Sequence, residues 1–596
     1  MVLRKQDKSC ENEYCSKFVD LALLVFILVL ALAIRLLGIN FGLPYVYFPD
    51  EAVIVNHALA FGTGDLNPHY FIYPSLYMYL MFFLYGLIYV VGWVIGVFAS
   101  TTDLVRLFFN DVTLFYLPGR LIAALSGVAS VGMVYLLGRR AYNVHVGLIA
   151  AAFLAFSVLH VNYSHYIKTH VPAGLLVIVG LWLAWSIYEG KDNWRRYVLS
   201  GTIAGLAAST VYHAGFVLLS LIVAHVLHWR DSSKNMFGVP LFSPKLFIAM
   251  IASLIAFLFG TPFAILDWST FIGDITSSAS LYYFGGFWEQ GTFYPFTSLL
   301  TTMGYPLGIA ALIGLSYALI RRRSADLILL SQPFLLAGLL MLFATKIPHH
   351  MLIAFPALSI LSASLLMDLV SWFIRPHILQ RMSLILVSIL VLVNPATIAF
   401  QESYRLTLPD TRELSKDWVE ENIPVGSKIV MDSGRYYLSH FGPPLRLSRW
   451  TLEQFIVRGE SLSGEFLARR DGTRRIGYSG EAEYFKQQLR TLGDQPGCDI
   501  VQILHDPGSK KADVLNLDEY ISMGVQYAIV SSLGWNSYLQ GGVTDVRYPG
   551  KAAKYRSFYK GLEDHATLLK VFSPSDKIAG PTLRIYRLSR ESLTNK

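Results

Sequence analysis

Apolar runs and short basic loops alternate through residues 18–400, and the pattern then stops. The runs fall at 18–37, 75–98, 118–138, 146–163, 171–188, 198–229, 246–266, 297–320, 327–344, 351–373 and 382–400. Most approach the ~20 apolar residues that carry an α-helix across a bilayer. Between them stand Arg139-Arg140, Lys191 to Arg196, Arg230 with Lys234 and Lys245, Arg321 to Arg323, and Arg375 with Arg381. Lysine and arginine in short loops mark the cytoplasmic side. One topology must therefore place all of these clusters, with residues 1–17, on one face. It does so if 75–98 lies in the interface or re-enters, and if 198–229 breaks into two helices near Tyr212-His213. The expected fold is an α-helical polytopic membrane protein of about ten to eleven spans.

Beyond residue 400 the chain turns charged and rich in Gly, Pro, Asp and Arg, with no further span. Asp410 to Asn422 reads as a capped amphipathic helix with Trp418 on its apolar face. Lys428 to Asp432, Gln526 to Ser531, Leu568 to Phe572 and Leu583 to Leu588 read as strands. The expected organisation is a cytoplasmic segment 1–17, a membrane domain 18–400 with an external loop 38–117, and a soluble extracytoplasmic α/β domain 401–596.

Composition agrees. Of 596 residues 54% are hydrophobic and only 15% charged, against about a quarter charged in soluble domains; mean hydropathy is +0.46. The net charge of +8 sits largely in loops beside apolar runs, so it argues for a bilayer and not for nucleic acid. Three cysteines make no disulfide framework. The basic N-terminus and the run at 18–37 read as an uncleaved first helix, because the run is too long for a signal peptide. The expected setting is the cell membrane, crossed many times.

The chemistry concentrates in segments that this topology puts on the outer side. Asp50-Glu51 follows the first span, SHYIKTH (164–170) carries Lys168 and His170, and TKIPHH (345–350) carries Lys346, His349 and His350. Ionised groups at the edge of a helix bundle are expensive and commonly functional. Asp50 and Glu51 can accept a proton or hold a metal, while Arg120, Lys168, Lys346 and His349 suit an anionic phosphate. The plain alternative makes Asp50 the N-cap of a helix beginning at Ala52. His213 reads as a core histidine and Arg35 as a snorkelling side chain. Aromatics from Trp268 to Tyr294 read as an interfacial belt, or as a platform for sugar or lipid.

These segments occur in a definite order. An acidic pair after the first span is followed by NPHYFIYPSLYMYL with His69 and Tyr73, by LPGRLIAALSGVASVGMVYLLGRR with Arg120, and by SHYIKTHVP. In this order the chain resembles the C-type membrane glycosyltransferases. Among them it is most similar to glycosyltransferase family 39 and relatives, which include protein O-mannosyltransferases and lipid A aminoarabinose transferases. The tail segments TRELSKDWVEENIPVGSKIVMD, YAIVSS and GPTLRIYRL look like the outer domains of such enzymes. The resemblance implies inverting transfer of a sugar from a polyprenyl-phosphate donor to a protein, lipid or glycan acceptor at the outer face. It implies Asp50 as catalytic base supported by Glu51. Arg120, Lys168, His170, Lys346, His349, Tyr73 and His69 would bind substrate. Where the family commonly carries an Asp in the second external loop, this chain has His170. A divalent cation, if one is used, would then lie between Asp50 and His170.

Two other classes compete. A flippase of lipid-linked sugars would show ionisable residues at mid-bilayer and symmetric repeats; the charges here sit at the edge, and no repeat is evident. A non-catalytic scaffold would leave Asp50 as a cap only.

Overall fold

The computed structural model describes residues 2–191, 193–232, 242–284, 291–343, 347–433, 440–457, 479–492, 496–504, 514–539 and 550–589. Helices dominate up to residue 405. They are α1 (Val2–Leu36), α2 (Pro49–Ala60), α3 (Leu76–Val94), α4 (Thr101–Asn110), α5 (Thr113–Ala141), α6 (Val144–Ala155), α7 (Val158–Tyr163), α8 (His170–Tyr188), α9 (Trp194–Ala208), α10 (Val217–Ser232) and α11 (Pro244–Gly260). After them come α12 (Trp268–Phe284), α13 (Tyr305–Arg321), α14 (Ser324–Met341), α15 (Phe355–Phe373) and α16 (His377–Arg405).

Among the described residues, eight helices are long and apolar enough to cross a membrane, and α6, α11 and α13 are shorter apolar helices. The count falls below the expected ten to eleven because three expected spans are interrupted. The run 146–163 breaks between α6 and α7, 246–266 breaks at Thr261-Pro262, and 297–320 breaks at Gly304 before Tyr305-Pro306. Proline cannot donate within a helix and starts new ones readily. Gly304 has φ 92°, and a Cβ there would stand 2.7 Å from Pro395. The expected break near Tyr212-His213 is present as a 3₁₀ turn, Tyr212–Phe216, between α9 and α10. Closest packing comes from small residues: a Cβ on Gly201 or Gly205 of α9 would meet α11 backbone oxygens at 2.0 and 2.1 Å, the close approach that Gly-xxx-Gly permits in membranes.

Contacts sort the helix ends into two groups. At one end Arg140 bonds Ser186 at 2.9 Å and pairs with Glu189. There too Arg321 bonds Asp326 at 2.8 Å and Asp368 at 2.6 Å, and Tyr142 donates to Asp326. The loops bearing Arg139-Arg140 and Arg321 to Arg323 thus meet. The opposite end holds Asp50, Arg120 and Lys168. α1 brings Leu37 to that end, where its carbonyl meets His165 Nε2 at 3.1 Å, and α5 sets out from the same end. α3 also starts there: Ser75 Oγ donates to the Gly260 carbonyl (3.1 Å), and Leu76 N to that of Ser209 (3.3 Å). Tyr77 and Tyr85 of α3 donate to Gly119 and Phe115 carbonyls in the first turns of α5, at 3.0 and 2.9 Å. Although α3 has the length to span, the chain enters and leaves 38–112 at one end. α3 and α4 together therefore make no net crossing.

Past α16, α17 (Thr411–Asn422) is capped by Asp410, whose side chain accepts from Arg412 N, and Trp418 packs on the adjacent core. The strands β1 (Lys428–Ser433), β2 (Asp499–Leu504), β3 (Tyr527–Ser531), β4 (Thr567–Phe572) and β5 (Leu583–Arg587) form one sheet of order β2-β1-β3-β5-β4. β1 pairs in parallel with β2 and β3, while β5 is antiparallel to β3 and β4. Four of these strands match the expected ones. β2 was not anticipated, although its DIVQIL is an apolar run of strand length.

Candidate active site

The site begins with how α2 starts. Pro49 takes the first helical position, where its missing N–H costs nothing, and Phe48 is the cap residue, with no side-chain cap bond. Asp50 therefore lies inside the first turn and is not the cap of a helix starting at Ala52. Its side chain keeps 39% exposure and pairs with Lys168 Nζ, whose side chain is 3% exposed. Lys168 Nζ also reaches Tyr73 Oη at 3.3 Å and lies 5.7 Å from the Phe48 ring centre. Apart from Lys168, no described residue hydrogen-bonds the Asp50 carboxylate.

Glu51 turns inward. It is fully buried and takes a fork from Arg120, Nε to Oε1 and Nη2 to Oε2, both at 2.8 Å. Oε1 also accepts Ile167 N at 2.9 Å, which fixes the backbone next to Lys168. Arg120 spends Nη1 on the carbonyls of Ile39 (2.9 Å) and Phe41 (2.8 Å), and it too is fully buried. Four of its five N–H groups bond the protein, and the guanidinium, expected from the sequence to bind donor phosphate, here clamps the loop to α5. Phe48 stacked on Tyr166, 4.2 Å between centroids, locks the same corner.

The C-terminal region holds this loop from outside. Tyr47 Oη donates to Glu413 Oε1 at 3.1 Å, His440 Nδ1 meets the Tyr47 carbonyl at 2.8 Å, and Arg412 stands 3.6 Å over the Tyr47 ring. Burial lifts the Glu413 carboxyl above its usual range, and Asp410 adds to the effect.

The other expected residues are distributed as follows. Tyr73 joins Lys168. His349 bonds Tyr163 Oη through Nδ1 at 2.9 Å, and its ring centre lies 4.5 Å from that of His170. Tyr163 in turn meets Tyr166 edge-on, 6.2 Å between ring centres, and Tyr166 stacks on Phe48 beside Asp50, so aromatic contacts link the two groups. His170 stands among histidines, and Asp50 is not one of the group with which it could share a metal. Asp50 itself pairs with Lys168. His69 is engaged elsewhere, with Asp65 at 2.9 Å, Asn67 at 3.0 Å and Asp267 at 3.4 Å; its hydrogen bond holds the Asp65 carboxyl below the usual range. Lys346 lies outside the described residues.

Two residues differ from their expected roles. His213 is not a satisfied core histidine: its Nε2 has no partner among the described residues, and its position in a helix break was the available signal. Arg35 does not snorkel. It is fully buried and bonds the Ala31 carbonyl at 2.9 Å, the Ala155 carbonyl at 3.1 Å and Ser164 Oγ at 3.2 Å. The break between α6 and α7 exposes the carbonyls it uses.

Residues 105–259 match the model of the dolichyl-phosphate-mannose-protein mannosyltransferase family. The match contains Arg120, Lys168, His170 and His213, and it bears out the resemblance drawn from the sequence. Among curated proteins none matches. Among solved structures the chain is similar to ArnT from Cupriavidus metallidurans in the apo state, at 13% identity and TM-score 0.50, covering 97% of this chain and 99% of that one. The same protein bound to undecaprenyl phosphate gives 12% identity and TM-score 0.50, with 95% and 98% covered. The apo oligosaccharyltransferase of Archaeoglobus fulgidus gives 13% and 0.47, over 94% of this chain and 74% of that one. At such identities the likeness to ArnT is one of fold.

Proposed function

We propose that this chain is a membrane glycosyltransferase that moves a sugar from a polyprenyl-phosphate donor to an acceptor hydroxyl at the outer face, with inversion. The observation that carries this reading is the pairing of a part-exposed carboxylate, Asp50, with a nearly buried cation, Lys168, at one end of a helix bundle. The family match over 105–259 supports the reaction class, and the fold shared with ArnT supports the architecture.

The chemistry needs few groups. Asp50 takes the proton of the acceptor hydroxyl as its oxygen attacks the anomeric carbon. The bond from that carbon to the phosphate oxygen breaks, and the polyprenyl phosphate leaves with the electron pair. Lys168 stabilises the charge developing on the leaving phosphate from a water-poor wall, where a fixed cation is worth more than in solvent. Phosphate binding to Lys168 also releases Asp50 from its ion pair, so the base is freed only when donor is present. Glu51 and Arg120 act at one remove, holding Asp50 and Lys168 in register.

Lys168→Met is expected to lower turnover by about 10²-fold, with Lys168→Arg partly active. The measurement is product formation from a polyprenyl-phosphate sugar by purified protein in lipid. Near-normal turnover of the Met variant would assign Lys168 to structure alone.

Orientation is tested separately. Arg139-Arg140 and Arg321 to Arg323 are expected in the cytoplasm and 401–596 outside. Single cysteines at exposed positions of the tail should react with an impermeant reagent on intact cells, and cysteines beside Arg322 should not. The reverse pattern would invert the topology and put the site on the wrong face.

A further inference from the structure

Four histidines gather beside the Asp50–Lys168 pair, and the transfer steps above make no use of them. His170 opens α8, His213 lies in the 3₁₀ turn between α9 and α10, and His349 and His350 lie in the 3₁₀ turn Pro348–Ala354 that leads into α15. One ligand atom from each of His170, His349 and His350 lies within 4.8 Å of the others. Ring centres are 4.9 Å apart for His349 and His350, 5.8 Å for His170 and His350, and 5.3 Å for His213 and His350.

The hydrogen bonding of this group is incomplete in one respect. Both ring nitrogens of His170 are buried and have no partner among the described residues. A neutral imidazole carries one donor and one acceptor, and leaving both unmet in the interior of a protein is costly. His170 is 3% exposed and stands among other imidazoles, so neighbouring rings and not solvent decide its fate. A cation that takes imidazole lone pairs removes part of that cost for several rings at once.

We propose that His170, His349 and His350 form a transition-metal site of the zinc class. Three neutral imidazoles with an open fourth position are a recurrent arrangement for zinc in reactive sites, and an all-nitrogen set selects such ions over magnesium or calcium, which prefer oxygen. Nitrogens on one tetrahedral zinc stand about 3.4 Å apart, so the rings close by roughly an ångström on binding. Outer partners are in place. Tyr163 Oη bonds His349 Nδ1; with Nδ1–H donating, Nε2 is left as the ligand. His213 packs edge-on against the His350 ring, 5.3 Å between centres. Such outer bonds fix ring orientation and tautomer.

Lys168 lies two residues before His170, in the turn that opens α8, and an oxyanion seated on Lys168 is placed beside the metal. Resting on the transferase reading, the fourth ligand is an oxygen of the donor's phosphate, and metal and Lys168 share its charge. Asp50 stays outside the coordination sphere and remains free to act as base.

The test uses untagged full-length protein in detergent, stripped with chelator and titrated with Co²⁺ or Zn²⁺. Co²⁺ is expected to bind at about one equivalent with the visible bands of four-coordinate cobalt. Zn²⁺ should displace it, millimolar Mg²⁺ should not, and inorganic phosphate should shift the bands. Tyr163→Phe should weaken Co²⁺ by about 10–100-fold, and His170→Gln and His349→Gln by more. Monodispersity and unfolding midpoint check that each variant is folded, and Tyr163→Phe serves if ligand variants fail. No Co²⁺ or Zn²⁺ uptake by wild type, or unchanged affinity in Tyr163→Phe and every folded ligand variant, would overturn the site. An unmoved spectrum with phosphate would overturn the open position. A chain that binds metal but transfers no sugar sinks the transferase reading and keeps the site; full turnover by chelated protein does the reverse for any role in transfer.

Discussion

Asp50→Asn is expected to reduce sugar transfer by ~10²–10⁴-fold, the usual cost of removing a general base, while the protein remains folded and inserted. The substitution is nearly isosteric and leaves α2 intact, because Asp50 makes no capping bond there. It removes the counter-charge of Lys168, which is 3% exposed, but Lys168 keeps Tyr73 Oη and gains the Asn amide oxygen as acceptors, which limits the cost to stability. Activity and stability should thus separate. Donor and acceptor dependence of the rate would be followed in lipid, alongside the unfolding midpoint. Wild-type turnover by the Asn variant would remove Asp50 as base and leave the enzyme reading with little support.

Arg120→Met should show the opposite separation. It strands Glu51, which is fully buried, without its fork and leaves the Ile39 and Phe41 carbonyls unpaired. Breaking a buried ion pair from one side costs ~3–5 kcal/mol, so a clear fall in the unfolding midpoint is expected, with activity lost through misplacement of the loop. Replacing Glu51 by Met in the same chain should recover part of the stability, since two apolar groups avoid the stranded charge. If Arg120→Met instead kept its stability and lost only donor binding, Arg120 would be a phosphate ligand after all. Glu51→Gln is the milder change: it keeps the shape and part of the hydrogen bonding and removes the charge.

Much of this protein is decided by period and composition. Apolar runs near the length of a bilayer, separated by basic loops, determine a helical bundle whose arginine loops meet at one end, because each run can bury its backbone only as a helix. The break at Tyr212-His213, the capped helix after Asp410 and four of five strands follow from the same local rules of spacing and capping. The acidic pair and SHYIKTH were legible as candidate chemistry because ionisable groups are rare in such a chain. What each of them does was not legible. Adjacent Asp50 and Glu51 are about 100° apart on one helical turn, so one stays part-exposed against Lys168 and the other disappears into a fork with Arg120. That division depends on where α5 and the 164–168 turn lie in space. Likewise His170, His213, His349 and His350 are spread over nearly two hundred residues, and no local pattern connects them; they meet because three helix breaks reach the same end of the bundle. Sequence determines which residues are polar and how each helix runs. Only tertiary packing decides which polar groups spend their bonds on the protein and which are left to spend them on a ligand.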